Sequence, residues 1–238
     1  MLNYNKQKFL LLDGIDKETI DALRGNYGII AGGAIRSVFG GEYISDYDIY
    51  AIDDLWLRNI KVHLNNNYEM AFESPTATSY KKDKIKIQLV IMPSMITDSI
   101  DKLLSQFDFT ICMGAYDFKD EKFILNENFL PDLSRKELKF NVDAKYPLAS
   151  LFRIRKFLKR GYKISGTEII KIGLSINNLK IDNYVTLKEQ LHGIDTLFLK
   201  DLTDKLLAPE YAEKQYDFNE FLKLLDWYDD RYLDTVME

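Results

Sequence analysis

The order of apolar and polar positions divides the chain into a mixed first part and a helical second part. Up to about residue 145, short apolar or alternating runs typical of strands are interspersed with stretches of helical spacing. After Pro147, apolar residues recur at every third or fourth position and no strand pattern follows. The pattern predicts an α+β chain, with strands and helices together in residues 1–145 and an α-helical part in residues 146–238.

The boundaries of the predicted elements follow from the same pattern. Strands are predicted over 27–31, 46–53, 68–74, 78–82, 84–92, 109–118 and 122–126, with a hairpin turn around Asp83. Helices are predicted over 15–24, 34–39, 54–65, 97–105, 148–161, 184–191, 194–206 and 217–231. Ser165 and Glu168 have the spacing of a capping box, which predicts another helix start after Ser165.

Composition excludes several classes of protein. Hydrophobic residues make up 46% of the 238 residues, with 14 Phe and 15 Tyr, which is too apolar and aromatic for a disordered chain. The net charge of −5 excludes a uniformly basic nucleic-acid-binding surface and leaves one local basic segment, 153–163. No apolar run approaches the ~20 residues of a membrane span, so we expect no membrane partner.

Cysteine and histidine are too rare for most metal or disulfide chemistry. Cys112 is the one cysteine, which excludes an internal disulfide and a zinc site built on several thiolates. His63 and His192 are far apart and lack a metal-ligand spacing. We therefore expect a reducing cytoplasm, and the sequence leaves open whether a bacterium, a virus or a phage encodes the chain.

The segment from Ile29 to Asp53 has the features of an anion-binding site. A predicted buried strand runs into Gly32 and Gly33, and a short helix follows. Glycines let the backbone approach a phosphate closely, and the first N–H groups of the helix point at it. Arg36, in the first turn of that helix, carries the charge that would pair with the same anion.

Two carboxylates follow on the next predicted strand. Asp46 and Asp48 alternate with apolar residues, so both side chains are expected on one face of the strand. Two carboxylates this close repel each other, and a divalent cation removes the conflict. Because all the ligand atoms are oxygen, Mg²⁺ or Mn²⁺ is the predicted ion.

These motifs resemble the nucleotidyltransferase superfamily that includes DNA polymerase beta. The segment is most similar to the head domain of class II CCA-adding tRNA nucleotidyltransferases and poly(A) polymerases, whose signature runs from Gly-Gly-Ala-x-Arg to Asp-x-Asp. Here the matching residues are Gly32, Gly33, Ala34 and Arg36, then Asp46 and Asp48. The stretch 107–117 (FDFTICMGAYD) is similar to a second family motif, and 147–157 (PLASLFRIRKF) is similar to the basic helix that opens the family's neck domain.

The sequence departs from the family pattern at several places. Ser37 replaces an aspartate, and Gln106 and Phe107 replace a pair of arginines, one of which contacts the nucleotide in the family. Gln88 stands where many members of the superfamily have a third carboxylate. The family's Glu-Asp-x-x-Arg element for choosing C and A is missing from the chain.

The resemblance implies that residues 1–145 are a nucleotidyltransferase head domain, a mixed sheet with flanking helices, and that residues 146–238 are a helical neck-like domain. It also implies transfer of a nucleotide from an NTP, ATP or CTP, to a hydroxyl acceptor, with release of pyrophosphate. Asp46 and Asp48 would be the catalytic metal ligands. Gly32, Gly33 and Arg36 would bind the triphosphate, and Arg153 and Lys156 of the neck-like helix would complete that site. The acceptor implied by the resemblance is RNA, specifically the 3′ end of tRNA.

Three other functions stay open at this point. The departures at Gln88, Gln106 and Phe107 are compatible with a non-catalytic nucleotide-binding module. The acidic pI of about 5.3 and the short C-terminal part leave room for a toxin-type enzyme that modifies a protein or a small molecule. A helical interaction protein with an inactive head domain is the third alternative.

Overall fold

The computed structural model describes residues 3–191, 202, 205 and 217–232. The chain separates into two compact units, Met1–Ala144 and Lys145–Glu238. The assignment of these units as a nucleotidyltransferase head and a neck-like domain stays a prediction. Among the described residues, no helix combines the length and the apolar character that crossing a membrane requires.

The first unit contains a seven-stranded mixed sheet. In spatial order its strands are β3 (Glu69–Glu73), β4 (Ala77–Lys82), β5 (Ile85–Val90), β2 (Tyr47–Tyr50), β1 (Ile29–Ala31), β6 (Gly114–Asp117) and β7 (Lys122–Leu125). Neighbouring strands are antiparallel, except that β2 and β5 are parallel. Two short strands, β8 (Glu137–Leu138) and β9 (Lys163–Ile164), are also present.

Helices of the first unit are α1 (Asn5–Leu12), α2 (Lys17–Gly25), α3 (Gly33–Gly40), α4 (Asp54–Asn67), α5 (Ile100–Leu104) and α6 (Phe129–Arg135). The second unit contains α7 (Pro147–Lys159), α8 (Gly166–Asn177), α9 (Tyr184–Glu189) and α10 (Phe218–Tyr232). The start of α8 is as predicted, because the Ser165 hydroxyl accepts a hydrogen bond from the Glu168 N–H at 3.4 Å. The predicted α+β fold is therefore confirmed.

The structure corrects the prediction for residues 109–118. The strand in this segment is only Gly114–Asp117, and Thr110–Cys112 form a 3-10 turn instead. Here the backbone N–H of Thr110 donates to Lys139, and its hydroxyl donates to Asp132. The sequence pattern did not predict helices α1 and α6. The predicted helix 194–206 lies outside the described residues except at positions 202 and 205, and His192 also lies outside them.

The two faces of the sheet are covered differently. On one face, the Tyr80 hydroxyl of β4 donates a hydrogen bond of 2.7 Å to Asn65 of α4. On the other face, which we call the α5 face, buried side chains of β1, β2 and β6 form a core with Leu103 and Leu104 of α5. These strand residues are Ile29, Ala31, Tyr50 and Ala115. The candidate site lies on the α5 face, because Ala31 is the neighbour of Asp48 across strands β1 and β2.

Gly114 of β6 lets α3 and α6 pack closely on the sheet. A Cβ atom at this position would lie 2.8 Å from Phe129 and 2.9 Å from Ile35. Such distances are shorter than van der Waals contact, so any larger residue would push both helices away. The Gly114 carbonyl also accepts a 2.9 Å hydrogen bond from Gly32, which links this packing to the end of β1.

We predict that Gly114→Ala destabilises the first unit by about 1–3 kcal/mol, the usual cost of adding a methyl group to a close-packed core. Gly25→Ala is the matched control, because a Cβ at Gly25 meets no atom within 4 Å. Chemical denaturation followed by circular dichroism measures both variants. Equal stability of the two would show that the packing at Gly114 is looser than described.

Asp16 joins the start of α2 to the end of α4. Its carboxylate accepts hydrogen bonds from the Thr19 N–H at 3.0 Å and from the Tyr68 hydroxyl at 2.5 Å, and it lies 3.4 Å from Lys82 Nζ. Burial acts to raise the pKa of Asp16, but the hydrogen bonds from Tyr68 and Thr19 and the charge of Lys82 outweigh it and hold the pKa well below its usual value. Ionised Asp16 therefore stabilises the fold.

We predict that Asp16→Asn lowers the free energy of unfolding at pH 7 by on the order of 1 kcal/mol, while asparagine keeps the helix cap. Because the folded-state pKa is depressed, the contribution is complete above the unfolded pKa of about 4 and is lost as the pH falls below it. Melting temperatures at several pH values should therefore converge for wild type and variant in acid. Asp98→Asn, a largely exposed carboxylate, is the control, and a difference that persists undiminished in acid would contradict the assignment.

Candidate active site

A glycine bend connects β1 to α3. Gly32 has φ +75° and ψ −119°, a backbone conformation that glycine adopts and other residues avoid. A Cβ at Gly32 would lie 3.3 Å from Cε2 of Phe107 and 4.0 Å from Oδ2 of Asp48. At Gly33 the same position meets no atom within 4 Å, so the bend is crowded at its first glycine and open at its second.

Asp46 and Asp48 lie at the start of β2, next to this bend. Exposure alternates along the segment: Asp46 and Asp48 are half-buried, whereas Tyr47 and Ile49 are buried. This alternation puts both carboxylates on the same face of the strand. Asp48 pairs with Ala31, the residue before Gly32, so the predicted metal ligands and the predicted phosphate-binding glycines are adjacent in the structure.

The residue next to Asp48 on the other side is Gln88. Strands β2 and β5 run parallel with Asp48 opposite Gln88, and β4 continues the row with Ser79. An amide therefore occupies the place beside Asp48 where a third carboxylate would add charge. A glutamine amide is uncharged, so Asp48 is the acidic side chain of this row, and Asp46 stands two residues before it in the chain.

The two aspartates fit a hard divalent cation. Their oxygen atoms are the ligand type that Mg²⁺ and Mn²⁺ prefer, and the missing side chain at Gly32 leaves space beside the Asp48 carboxylate. In the part of the chain that the structure describes, no cluster of three or more His, Cys, Asp or Glu side chains could hold a metal. A cation here would need its remaining ligands from water or substrate, as is usual for Mg²⁺.

Arg36 is buried and points at the loop that leads to Asp46. Its guanidinium lies 3.3 Å from the Glu42 carboxylate and donates a 3.3 Å hydrogen bond to the Ser37 hydroxyl. The backbone N–H of Glu42 also donates to the Ser37 carbonyl at 2.8 Å. Arg36 therefore ties α3 to the loop 41–46, and its predicted contact with the triphosphate stays a prediction.

Phe107 lies against Gly32, where the related family has an arginine. Its ring is 5.9 Å from the ring of Tyr50, and both rings belong to the apolar cluster on the α5 face. The neighbouring Gln106 is half-buried and contacts the carbonyl of Lys102 at 3.5 Å. An apolar wall thus covers one side of the glycine bend, without the positive charge that the family has there.

Asn141 fixes the turn that carries Phe107. Its side-chain amide donates hydrogen bonds to the carbonyls of Ser105 at 2.6 Å and Phe107 at 2.8 Å. Its backbone N–H donates to the carbonyl of Asp108 at 2.8 Å. One residue therefore holds this turn in place. Nothing in the local sequence around Asn141 indicates the role, because its partners lie more than thirty positions earlier.

Polar residues of the second family-like motif make structural contacts. The Thr110 hydroxyl donates a 2.6 Å hydrogen bond to Asp132 of α6, and Arg135 forms a 2.6 Å ion pair with the same carboxylate. Asp108 accepts a hydrogen bond from the backbone N–H of Phe109 at 3.0 Å. These contacts hold α6 and the 3-10 turn next to the sheet. Cys112, in the same turn, is buried.

Arg153 and Lys156 belong to the second unit. Both lie on α7, where the Arg153 guanidinium stands 5.8 Å from the centre of the Phe157 ring and Lys156 is exposed. Their participation in the nucleotide site stays a prediction.

Among the contacts that sequence reasoning missed, the ion pair of Arg36 with Glu42 had one weak signal, since the acidic residue follows shortly after the arginine.

Several solved structures share this fold. A CCA-adding enzyme in its apo form I matches with a TM-score of 0.57 and 17% identity, covering 79% of this chain and 49% of that one. The Thermotoga maritima CCA-adding enzyme complexed with tRNA matches with a TM-score of 0.52 and 16% identity, covering 92% and 53%. A CCA-adding enzyme complexed with ATP matches with a TM-score of 0.55 and 15% identity, covering 96% and 55%. The predicted nucleotidyltransferase fold is therefore confirmed, and the likeness extends beyond the resemblance seen in the sequence.

Sequence comparison identifies the family more narrowly. A protein of Bacillus phage SPbetaL7, named Gabija anti-defense 2, is 36% identical over 219 residues, which is 92% of this chain and 52% of that protein. The chain thus spans about half the length of this relative. The family profile of Gabija anti-defense 2 matches residues 2–136. By both comparisons, the chain belongs to the Gabija anti-defense 2 protein family.

Proposed function

We propose that the chain is a nucleotidyltransferase that moves a nucleotide from an NTP to a hydroxyl acceptor and releases pyrophosphate. The observation that carries the proposal is the adjacency of Asp48 to the glycine bend, through its pairing with Ala31 and its 4.0 Å approach to the Cβ position of Gly32. A metal-binding carboxylate beside an anion-binding bend is the arrangement that phosphoryl-type transfer needs, because catalysis there depends on placement and charge.

In this proposal Asp46 and Asp48 hold Mg²⁺ or Mn²⁺, which when bound supplies neutralising charge for the phosphates and lowers the pKa of the acceptor hydroxyl. The bend at Gly32 and Gly33 receives the triphosphate of ATP or CTP, since the N–H groups from Gly33 onward at the start of α3 favour an anion. Gly32 contributes its close backbone approach, because its own N–H donates to Gly114. Arg36 contributes positive charge from the first turn of α3 and anchors the loop that leads to Asp46.

RNA is the proposed acceptor, with the 3′ end of tRNA as the first candidate. Its support is that the solved neighbours include a CCA-adding enzyme complexed with tRNA and others with CTP or ATP. Arg153 and Lys156 of the basic helix α7 are proposed to contact the triphosphate or the RNA backbone. A role in the cytoplasm of an infected bacterium is part of this proposal, supported by the phage origin of the relative.

The second candidate acceptor is a component of the Gabija defence. The observation that favours it is the family itself, because both the matching profile and the phage relative are named for anti-defense against Gabija. Under this proposal the same site would transfer a nucleotide to a protein or to a small molecule. The catalytic residues are unchanged, and only the acceptor differs.

A single assay separates these candidates. Purified protein is incubated with each of the four α-labelled NTPs, Mg²⁺, and either bulk tRNA or a lysate of cells that express Gabija. Label in RNA supports the first acceptor, and label in a Gabija component supports the second. Nucleotide binding with no transfer and no pyrophosphate release would instead indicate the non-catalytic module to which Gln88 and Phe107 are suited.

We predict that Asp48→Ala lowers nucleotide transfer by roughly 100-fold or more, the effect of removing one well-placed electrostatic group. The variant should keep the melting temperature of the wild type, because Asp48 is half-buried at the edge of the site. Asp98→Ala, on the surface of the same unit, is the control and should keep full activity. Wild-type turnover by Asp48→Ala would refute the metal-binding role.

A further inference from the structure

The α5 face of the sheet is open over β4 and β5 from Ser79 and Gln88 toward Lys81 and Lys86, whereas Val90 at the other end of β5 packs against the α5 cluster. Helix α5 and its cluster cover the side chains of β1, β6 and the end of β2. Beyond Asp48, the cross-strand row on this face continues through Gln88 and Ser79 to Phe72 of the edge strand β3. Gln88 and Ser79 are half-buried, and Phe72 is 51% exposed. A polar row that ends in an exposed aromatic ring therefore leads away from the candidate site.

Two lysines stand side by side on this open face. Lys81 of β4 pairs directly with Lys86 of β5, and both are exposed. Like charges directly opposite each other on a sheet destabilise it. Glu69 of β3 is the neighbour of Lys81 on its other side, yet neither lysine forms an ion pair with any residue in the described part of the chain.

Lys82, the residue after Lys81 on β4, differs from the two paired lysines because it forms an ion pair. Lys82 points to the opposite face, where its ammonium group lies 3.4 Å from the carboxylate of Asp16. Lys86 precedes Gln88 by two residues, as Asp46 precedes Asp48, so it lies on the side of β5 nearest the carboxylates. The paired lysines are thus next to the candidate site and available to an anion from outside the chain.

The in-line geometry of the proposed reaction indicates which substrate would lie on this surface. The glycine bend lies on the β1 side of Asp48, and the open face lies on its β5 side. In nucleotidyl transfer the attacking and leaving oxygens are roughly in line on opposite sides of the reacting phosphorus. If the triphosphate is held at the glycine bend, the acceptor hydroxyl approaches over β5 and β4.

We propose that Lys81, Lys86 and Phe72 bind the 3′-terminal segment of a single-stranded nucleic acid acceptor, an inference that rests on the proposed nucleotidyl transfer. The lysines neutralise backbone phosphates, and the exposed Phe72 ring offers a surface on which a base stacks. Ser79 and Gln88, between them and Asp48, supply hydrogen bonds to the sugars nearest the reacting hydroxyl. Charge alone would also suit an acidic peptide, but the exposed ring at the end of the row favours a nucleic acid.

Binding is tested apart from catalysis. Fluorescence anisotropy measures the affinity of the full chain for a fluorescein-labelled single-stranded RNA oligonucleotide with a free 3′ hydroxyl, in EDTA and without NTP. We expect Lys81→Gln/Lys86→Gln to weaken binding at least tenfold and to reduce the slope of log affinity against log salt by about 1.4, which is ~0.7 for each lost phosphate contact. Phe72→Leu should weaken binding by roughly fivefold or more with an unchanged salt slope.

The matched control is Lys6→Gln/Lys17→Gln, which removes the same charge from exposed helical positions of the same unit. Circular dichroism checks that all variants keep the fold. Equal losses of affinity in the control and in Lys81→Gln/Lys86→Gln would overturn the proposal, because they would show a non-specific charge effect. Wild-type affinity in Lys81→Gln/Lys86→Gln would overturn the proposal too. So would a result in which the chain binds no oligonucleotide but transfers label to a protein.

The transfer assay keeps the two proposals separate. A chain that binds the oligonucleotide through Lys81 and Lys86 but incorporates no nucleotide would support the surface and overturn nucleotidyl transfer. A chain that incorporates nucleotide into RNA while Lys81→Gln/Lys86→Gln retains both affinity and turnover would support the transfer and overturn the surface.

Discussion

The close approach of Asp48 to the backbone at Gly32 is the constraint on which the site depends. Strand pairing places the aspartate opposite Ala31, and the left-handed bend that follows brings α3 directly over the end of the strand. A side chain at Gly32 would meet both Phe107 and the carboxylate. The same missing atom therefore allows the turn, the packing of the aromatic ring and the space beside the acid. Gly114 supports this arrangement from β6, since its own missing side chain lets α3 lie close to the sheet.

The surroundings of Asp48 differ on its two sides. Toward β1, the neighbours are apolar side chains and the Phe107 ring, and Asn141 holds the turn that carries the ring. Toward β5, the neighbours are polar and the surface is open. Arg36 fixes the loop before Asp46 through its ion pair with Glu42. Asp48 therefore has apolar neighbours on its β1 side and polar, partly exposed neighbours on its β5 side.

Sequence reasoning captured what short-range pattern determines. Period-two alternation located strands β2 to β5, and the Gly-Gly and Asp-x-Asp spacings identified two groups that the strand register then makes neighbours. It failed where long-range hydrogen bonds decide: Thr110–Cys112 form a turn because of partners at Asp132 and Lys139, far along the chain. It also could not give the partners of Arg36, or reveal that Lys81 lies beside Lys86 whereas Lys82 pairs with Asp16. Such outcomes depend on which strands pair, which no local window contains.

The parallel pairing of β2 with β5 has a consequence for how the molecule is assembled. Strands β3, β4 and β5 are joined by short connections and form a meander whose contacts are local, whereas β2 meets β5 only after the chain between them has closed a long loop. Closing such a loop costs entropy before any contact is gained, so pairings of this kind form late. Asp48 and Gln88 face each other across that seam. The row that carries Asp48 and Gln88 therefore depends on a contact between two segments that are far apart in the chain.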